Sequence, residues 1–304
     1  MSRTDDFQEF RPLLFSIAYR ILGSVSEAED AVQETWLRYE AFRADAESPK
    51  AFLSATVTRI SIDVLRSARV RREEYVGPWL PEPLLADPYQ DPERSAELAE
   101  SLSVAALLLL ERLSPLERAV FVLRDVFDFP FPEVASAVGR TEAACRQLLV
   151  RARRHMREGR PRFAASRRER DELAARFFTA LREGDVLGLQ NLLADEVSLM
   201  GDGGGKAPQL GRVLSGVRSV ARLLAAAFPR MAGAGVADEP CEINGRPGAV
   251  FRDRAGRVLH TMALDIAGGG VQAVHVVINP DKLRHLGPVA DAWAVDAEVR
   301  GGGR

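Results

Sequence analysis

Residues 141–156, TEAACRQLLVRARRHM, place two different surfaces on one helix. At 3.6 residues per turn, Cys145, Leu148, Leu149, Ala152 and Met156 stack into an apolar stripe that has to be buried. Arg146, Gln147, Val150, Arg151, Arg153 and Arg154 point the other way, and Thr141 is placed to cap the first turn. Just upstream, FPEVASAVGR predicts a shorter helix with Pro132 in its first turn, Val134, Ala135 and Val138 inward, and Gly139 as its stop. Two helices joined by a tight glycine turn, the second presenting arginines and an amide, make a helix-turn-helix suited to the major groove. Arginine can bond guanine and glutamine adenine, so this face suits base edges as well as phosphates. A plain helical hairpin with a solvated face is the alternative; the turn, the cap and the basic run that follows favour DNA.

A chain of 304 residues predicts two or three domains, each able to bury a core. Its formal net charge is only −2, but the charge is unevenly spread. Between Arg140 and Arg170 stand eleven arginines against Glu142, Glu158 and Glu169, and that local field is what a polyanion meets. Cys145 and Cys241 suggest neither a disulfide framework nor a zinc site. No apolar run is long enough to span a bilayer, and the N-terminus lacks an apolar leader. The expectation is a cytoplasmic protein without membrane contact, metal or cofactor.

Residues 5–72 read as helices throughout. Phe7, Phe10, Leu14, Ile17, Ala18 and Ile21 follow helical spacing up to Gly23. Ser26 and Glu29 then suggest a capping box for the next helix. On that helix Asp30, Gln33, Glu34 and Leu37 share one side, which on the residues alone is a solvated face. After Ser48-Pro49, a third helix turns Val57, Ile60, Val64, Leu65 and Ala68 inward and Arg59, Asp63, Arg66 and Arg69 outward, ending on Arg71 and Arg72. A phosphate-binding surface and a solvated helix end fit this pattern equally well. Residues 75–96 contain five prolines and read as a stiff linker, in which Trp79 and Leu80 are too apolar to stay in water. Helix resumes at Glu97 and runs through Leu113, and Ser114-Pro115 opens another that leads into the helix-turn-helix.

EAEDAVQETWLRY, SPKAFLSATVTRISIDVLRSARVRRE and LSPLERAVFVLRDVFDFPFPEVASAVGRTEAACRQLLVRARRHM resemble regions 2 and 4 of bacterial sigma-70-family factors of the extracytoplasmic-function type. The resemblance covers roughly the first half of the chain. It implies two all-α sigma domains, over 1–74 and 97–160, that bind core RNA polymerase and promoter DNA. It assigns Asp30, Gln33 and Glu34 to polymerase docking, in place of the solvated face. The loop from Ala44 to Lys50 and the helix with Arg59, Asp63 and Arg66, with Arg69, Arg71 and Arg72 on the strand, fall to the −10 element. Arg146, Gln147, Arg151, Arg153 and Arg154 fall to the −35 element. Many members have Asn where Arg59 stands, so a base preference at −10 does not carry over. Melting fits these parts, because a captured flipped base recovers part of the lost stacking.

From about residue 170 the pattern changes. A helix, a Gly184-Asp185 break, a second helix and the strand DEVSLMGD precede a third helix, GRVLSGVRSVARLLAAAF. Strands parted by Asn244-Gly245, Asp253 to Gly256 and Gly268 to Gly270 follow. Helices on a curved antiparallel sheet predict an α+β cone over 170–284, which resembles the SnoaL-like, nuclear-transport-factor-like fold. Asp202, His260, Asp265 and His275 would offer acid–base groups to a cone pocket, but lone histidines on apolar strands more often belong to the core, and no catalytic set is assigned. Gly203, Gly204 and Gly205, between Asp202 and Lys206, suit a docking or anion-binding loop. Residues 285–304 read as a flexible tail.

Three segments look like signatures of extracytoplasmic-function sigma factors with a fused SnoaL-like extension. They are Trp79-Leu80-Pro81-Glu82-Pro83-Leu84 in the linker, Asp202 to Lys206, and Asn279-Pro280-Asp281-Lys282-Leu283. The resemblance implies control in cis by the extension, with a small-molecule or protein effector as a further partner. Two other readings stay open on the sequence: a conventional helix-turn-helix regulator whose cone binds an effector, and a cyclase-like enzyme with a DNA-binding arm.

Overall fold

The computed structural model describes residues 2–42, 48–91, 93, 95–158, 165–208 and 211–301. They divide into two units: 1–74 with 87–160, and 75–86 with 161–304.

In the first unit, α1 (Arg3–Leu22) starts at Ser2, which shares a capping box with Asp5, and stops at Gly23 in the left-handed region. The chain turns so sharply there that Ser24, not Ser26, caps α2 (Val25–Ala41), accepting from the Glu27 amide. The helix α3 (Pro49–Glu73) completes the N-terminal half. The single helix expected from Glu97 to Leu113 is two, α4 (Ser95–Leu102) and α5 (Val104–Glu111), because Ser103 leaves helical geometry to cap the second. Next come α6 (Pro115–Phe121), opened by the Ser114–Glu117 capping box, and a π-turn over Val122–Val126. The helix-turn-helix is α7 (Phe131–Val138) and α8 (Glu142–Glu158). Gly139, at φ 64°, makes the turn, and the Thr141 hydroxyl accepts from the Ala144 amide.

Two buried arginines tie the halves of this unit together. Arg118 of α6 donates to the carbonyls of Leu110 and Ile21 (2.8 and 2.6 Å) and pairs with Glu111 (2.7 Å). Ile21 lies at the C-terminal end of α1, where carbonyls lack helical partners. Arg20 reaches Ser101 Oγ, Leu98 O and Asp87 (2.9, 3.0 and 2.9 Å). Arg118 thus satisfies the Ile21 carbonyl at the end of α1, and both guanidinia add charge-assisted bonds to carbonyls inside the unit.

In the second unit, α9 (Arg167–Glu183) and α10 (Val186–Leu192) meet at Gly184-Asp185, as the sequence suggested. The strands are β1 (Leu193–Asp202), β2 (Leu214–Ser215), β3 (Ala237–Ile243), β4 (Arg246–Arg252), β5 (Val258–Ala267) and β6 (Gly270–Val277), with α11 (Val217–Gly233) between β2 and β3. Their order is β2-β1-β6-β5-β4-β3. The sheet is mixed rather than wholly antiparallel: β1 and β6 run parallel, joined the long way round through α11 and four strands. Phe177, Leu181, Leu224 and Phe228 from the helices pack on Phe251, Met262, Leu264 and Val274 of the sheet.

The presumed tail is structured. Val258 N–H donates to Pro288 O and its carbonyl accepts from Ala290, both at 2.8 Å. A helix, α12 (Ala292–Gly301), follows, with Ala292 and Val295 packed on the core. Backbone pairing at the start of β5 and a small apolar face are what hold it.

His260 stacks on Phe251 with centroids 4.2 Å apart, edge-on to Phe228, and burial pushes its pKa down to about 3. The unfolded imidazole titrates near 6.5, so between these values the unfolded state binds more protons and acid favours unfolding. Above that window the contribution to stability is complete, and it is lost as pH falls. Denaturant unfolding of the full chain at pH 7.5 and 5.5 tests this. His260→Phe is expected to lose less stability on acidification than the wild type, by roughly 1 kcal/mol per pH unit below 6.5. Equal acid losses would place the proton uptake elsewhere.

Candidate functional site

The second helix of the helix-turn-helix, α8, buries Cys145, Leu149, Ala152 and Met156 and exposes its basic face. Three of its five candidate readers are already engaged. Arg146 pairs with Glu142 (2.8 Å) and lies 4.7 Å from the Phe131 ring centroid. Arg151 bonds Glu117 (2.8 Å), and Arg153 makes a two-pronged pair with Asp125 (2.8 and 2.7 Å). Burial works to raise the Glu117 carboxyl, but hydrogen bonds from Ser114 and Arg151 hold it below the usual carboxylate range. The hydrogen bond to Asp125 raises Arg153 further. Gln147 and Arg154 are exposed, and so is Val150.

On α3, Arg59 donates to the carbonyls of Ser136 (2.7 Å) and Ala137 (3.2 Å). These are among the last carbonyls of α7, which end-of-helix geometry leaves without partners. Asp63 and Arg66 pair with each other on an exposed turn (3.2 Å). The side chains of Arg69, Arg71 and Arg72, and the loop residues Ala44 to Glu47, lie outside the described residues. On α2, Asp30 and Gln33 are exposed and Glu34 pairs with Arg38 (2.9 Å). Leu37, on the same side, is 51% exposed.

The three signature segments converge within the second unit. Asp202 ends β1 with no solvent exposure and takes three donors: the Tyr75 hydroxyl (2.5 Å), the Leu80 amide (2.8 Å) and the Lys282 ammonium (2.7 Å). Lys282 also donates to Leu80 O (2.5 Å) and lies 4.3 Å from the Trp79 ring and 4.9 Å from the Tyr75 ring. Asn279 donates to the Tyr75 hydroxyl (2.8 Å) and turns its own oxygen to the Asp281 amide (3.1 Å), starting the Pro280–Lys282 turn ahead of buried Leu283. Burial first, and then the Asp202 carboxylate, push the Tyr75 phenol above its ordinary range, so it remains a donor. Pro81, Glu82, Pro83 and Leu84 are buried as well.

The glycine loop packs against the linker and the Asn279–Leu283 segment. Gly203 O accepts from the Lys206 amide (2.9 Å), and the Lys206 ammonium pairs with Asp281. A Cβ on Gly204, which has φ 57°, would overlap the Asn279 amide and lie 2.7 Å from the Tyr75 hydroxyl. Gly205 packs beside Val76. Trp293 of α12 donates to Lys206 O (3.0 Å).

Nothing local in the sequence marks Asn244 or His285 as partners of the linker. Leu84 and Asn244 exchange two hydrogen bonds (Leu84 N–H to Oδ1 3.2 Å, Asn244 N–H to Leu84 O 2.7 Å), and His285 reaches Pro83 O (2.6 Å). Asn244-Gly245 had signalled only a hairpin turn. A buried polar tip on Tyr75, directly ahead of the linker motif, is the one signal that could have been followed.

The four candidate acid–base groups do not converge. Asp202 is consumed by the linker, and His260 is set among the core aromatics. His275 pairs with Asp265 (2.8 Å), and strand alternation puts these two on the sheet face opposite His260. Among the described residues there is no cluster of three metal-ligating side chains and no helix long and apolar enough to cross a membrane.

Two family models match: Sigma-70 region 2 over residues 7–71 and Sigma-70, region 4 over residues 103–156. The ECF RNA polymerase sigma factor SigJ of Mycobacterium tuberculosis is 37% identical, with 91% of this chain and 92% of that protein covered. The probable ECF sigma factor SigI of the same species is 31% identical, over 91% and 93%. The crystal structure of M. tuberculosis SigJ superposes with a TM-score of 0.72 at 34% identity, covering 92% of this chain and 98% of that one. The chain thus matches these relatives along nearly their whole length, and it belongs to the extracytoplasmic-function RNA polymerase sigma factors, with a SnoaL-like α+β domain at its C-terminal end.

Proposed function

We propose that this sigma factor docks on core polymerase through Asp30, Gln33 and Glu34, opens the −10 element with α3 and reads the −35 element with α8. Its SnoaL-like domain acts as a regulator rather than an enzyme, by gripping the linker. The observation that carries the regulatory reading is the complete satisfaction of Asp202 by Tyr75, Leu80 and Lys282.

Distance explains why the grip matters. Elements about 25 base pairs apart lie roughly 85 Å apart at 3.4 Å per step. Residues 75–94, which precede α4, reach at most roughly 70 Å when fully extended. Holding residues 75–84 against the cone withholds roughly 35 Å of that reach. Arg59, bonded to the end of α7, supports the same closed state, since a −10 residue then rests on the −35 module. Core polymerase, or an effector on the cone, would open the factor by favouring the released linker.

Hydrogen exchange of the full-length protein tests the grip. The Leu80 and Leu84 amides, bonded to Asp202 and Asn244, are expected to be protected in the free factor and to exchange at least tenfold faster once core polymerase is bound. A linker that exchanges like an unstructured chain in the free protein defeats the grip. Unchanged protection in the holoenzyme defeats its release.

Docking has its own test. Asp30→Lys with Glu34→Lys should reduce core binding at least a hundredfold and leave thermal unfolding within ~0.5 kcal/mol of wild type, since both sites are at the surface. Pull-down of core at wild-type affinity would remove α2 from the polymerase contact.

A further inference from the structure

We infer that Val150 is a specificity-determining residue: it packs against the C5-methyl of a thymine in the upstream promoter element, beside an adenine held by Gln147. This deepens the sigma reading and rests on α8 lying in the major groove.

Val150 is 67% exposed at the centre of the basic face. Gln147 lies three residues before it and Arg154 four after, so the three form one line along the helix. The neighbouring arginines are committed elsewhere, Arg146 to Glu142 and Phe131, Arg151 to Glu117, and Arg153 to Asp125. Gln147, Val150 and Arg154 carry no such bond among the described residues, which leaves this line to meet the groove floor.

A β-branched residue in an exposed helical position forgoes helix propensity and, in the free protein, buries nothing in return. Across the major groove the base edges offer donors and acceptors, with one apolar feature, the thymine methyl. Set against cytosine or guanine edges, the valine would cover polar atoms without bonding them. Gln147 is suited to the N6 and N7 edge of adenine. Three residues advance about 4.5 Å along a helix, against a base step of about 3.4 Å, so the two side chains reach neighbouring A·T pairs.

The experiment uses holoenzyme assembled from core polymerase and the full chain, selecting from promoter fragments randomised across the upstream element. Wild type should enrich thymine at one position, and Val150→Ala should lose that preference while keeping the others. Deoxyuridine in place of that thymine removes only the methyl. It should weaken wild-type binding about threefold to fourfold and leave Val150→Ala unaffected. An intact thymine preference in Val150→Ala, or an equal uracil penalty in both proteins, overturns the assignment while the −35 reading stands. A wild type that enriches no base anywhere in the element overturns both.

Discussion

The second unit is organised around one buried charge pair. Asp202 and Lys282 are 2.7 Å apart, the first with no exposure and the second with almost none. Two charges out of water are costly, and their attraction offsets that cost only if every remaining lone pair and proton is used. Here Tyr75 and the Leu80 amide complete the carboxylate, while Leu80 O and two aromatic rings receive the ammonium. Most of those partners belong to the linker. The pair is therefore comfortable while the linker is present, and removing the linker leaves an under-satisfied charge. That coupling ties the satisfaction of the pair to the presence of the linker.

The same logic recurs in the helical unit with carbonyls as the buried groups. Arg118 meets the end of α1, and Arg59 meets the end of α7. Helix C-termini present carbonyls without partners, and a guanidinium from another element satisfies them at short range. The two contacts differ in kind. Arg118 is buried and structural, whereas Arg59 is exposed, so water can replace its partners at little cost. A contact that is easily exchanged with water suits the −10 role proposed for Arg59.

Carboxylates shape the basic face of α8 as much as arginines do. Glu117, Asp125 and Glu142 each occupy one arginine of α8. Exposed pairs of this kind contribute little to stability. They hold flexible side chains in place and lower the local positive field, which in the proposed −35 role lets weak non-specific attraction compete less with base reading.

Much of this was legible in the chain itself. The helix-turn-helix follows from local rules, with a left-handed glycine, a capping threonine and an apolar stripe at helical spacing, so Gly139, Thr141 and Cys145 behave as their positions suggest. The breaks at Gly184-Asp185 and Asn244-Gly245 are equally local. The meeting of the linker with Asp202 and Lys282 was suggested only by resemblance, because contacts across 80 to 127 positions leave no periodic trace. Tertiary structure alone decided the parallel β1–β6 pairing, the order of the tail beyond Pro288, and the partners of Arg59, Arg151 and Arg153. An outward arginine looks the same in sequence whether it faces water, a carboxylate or a helix end. What it faces is set by chain segments far away in sequence that packing brings near.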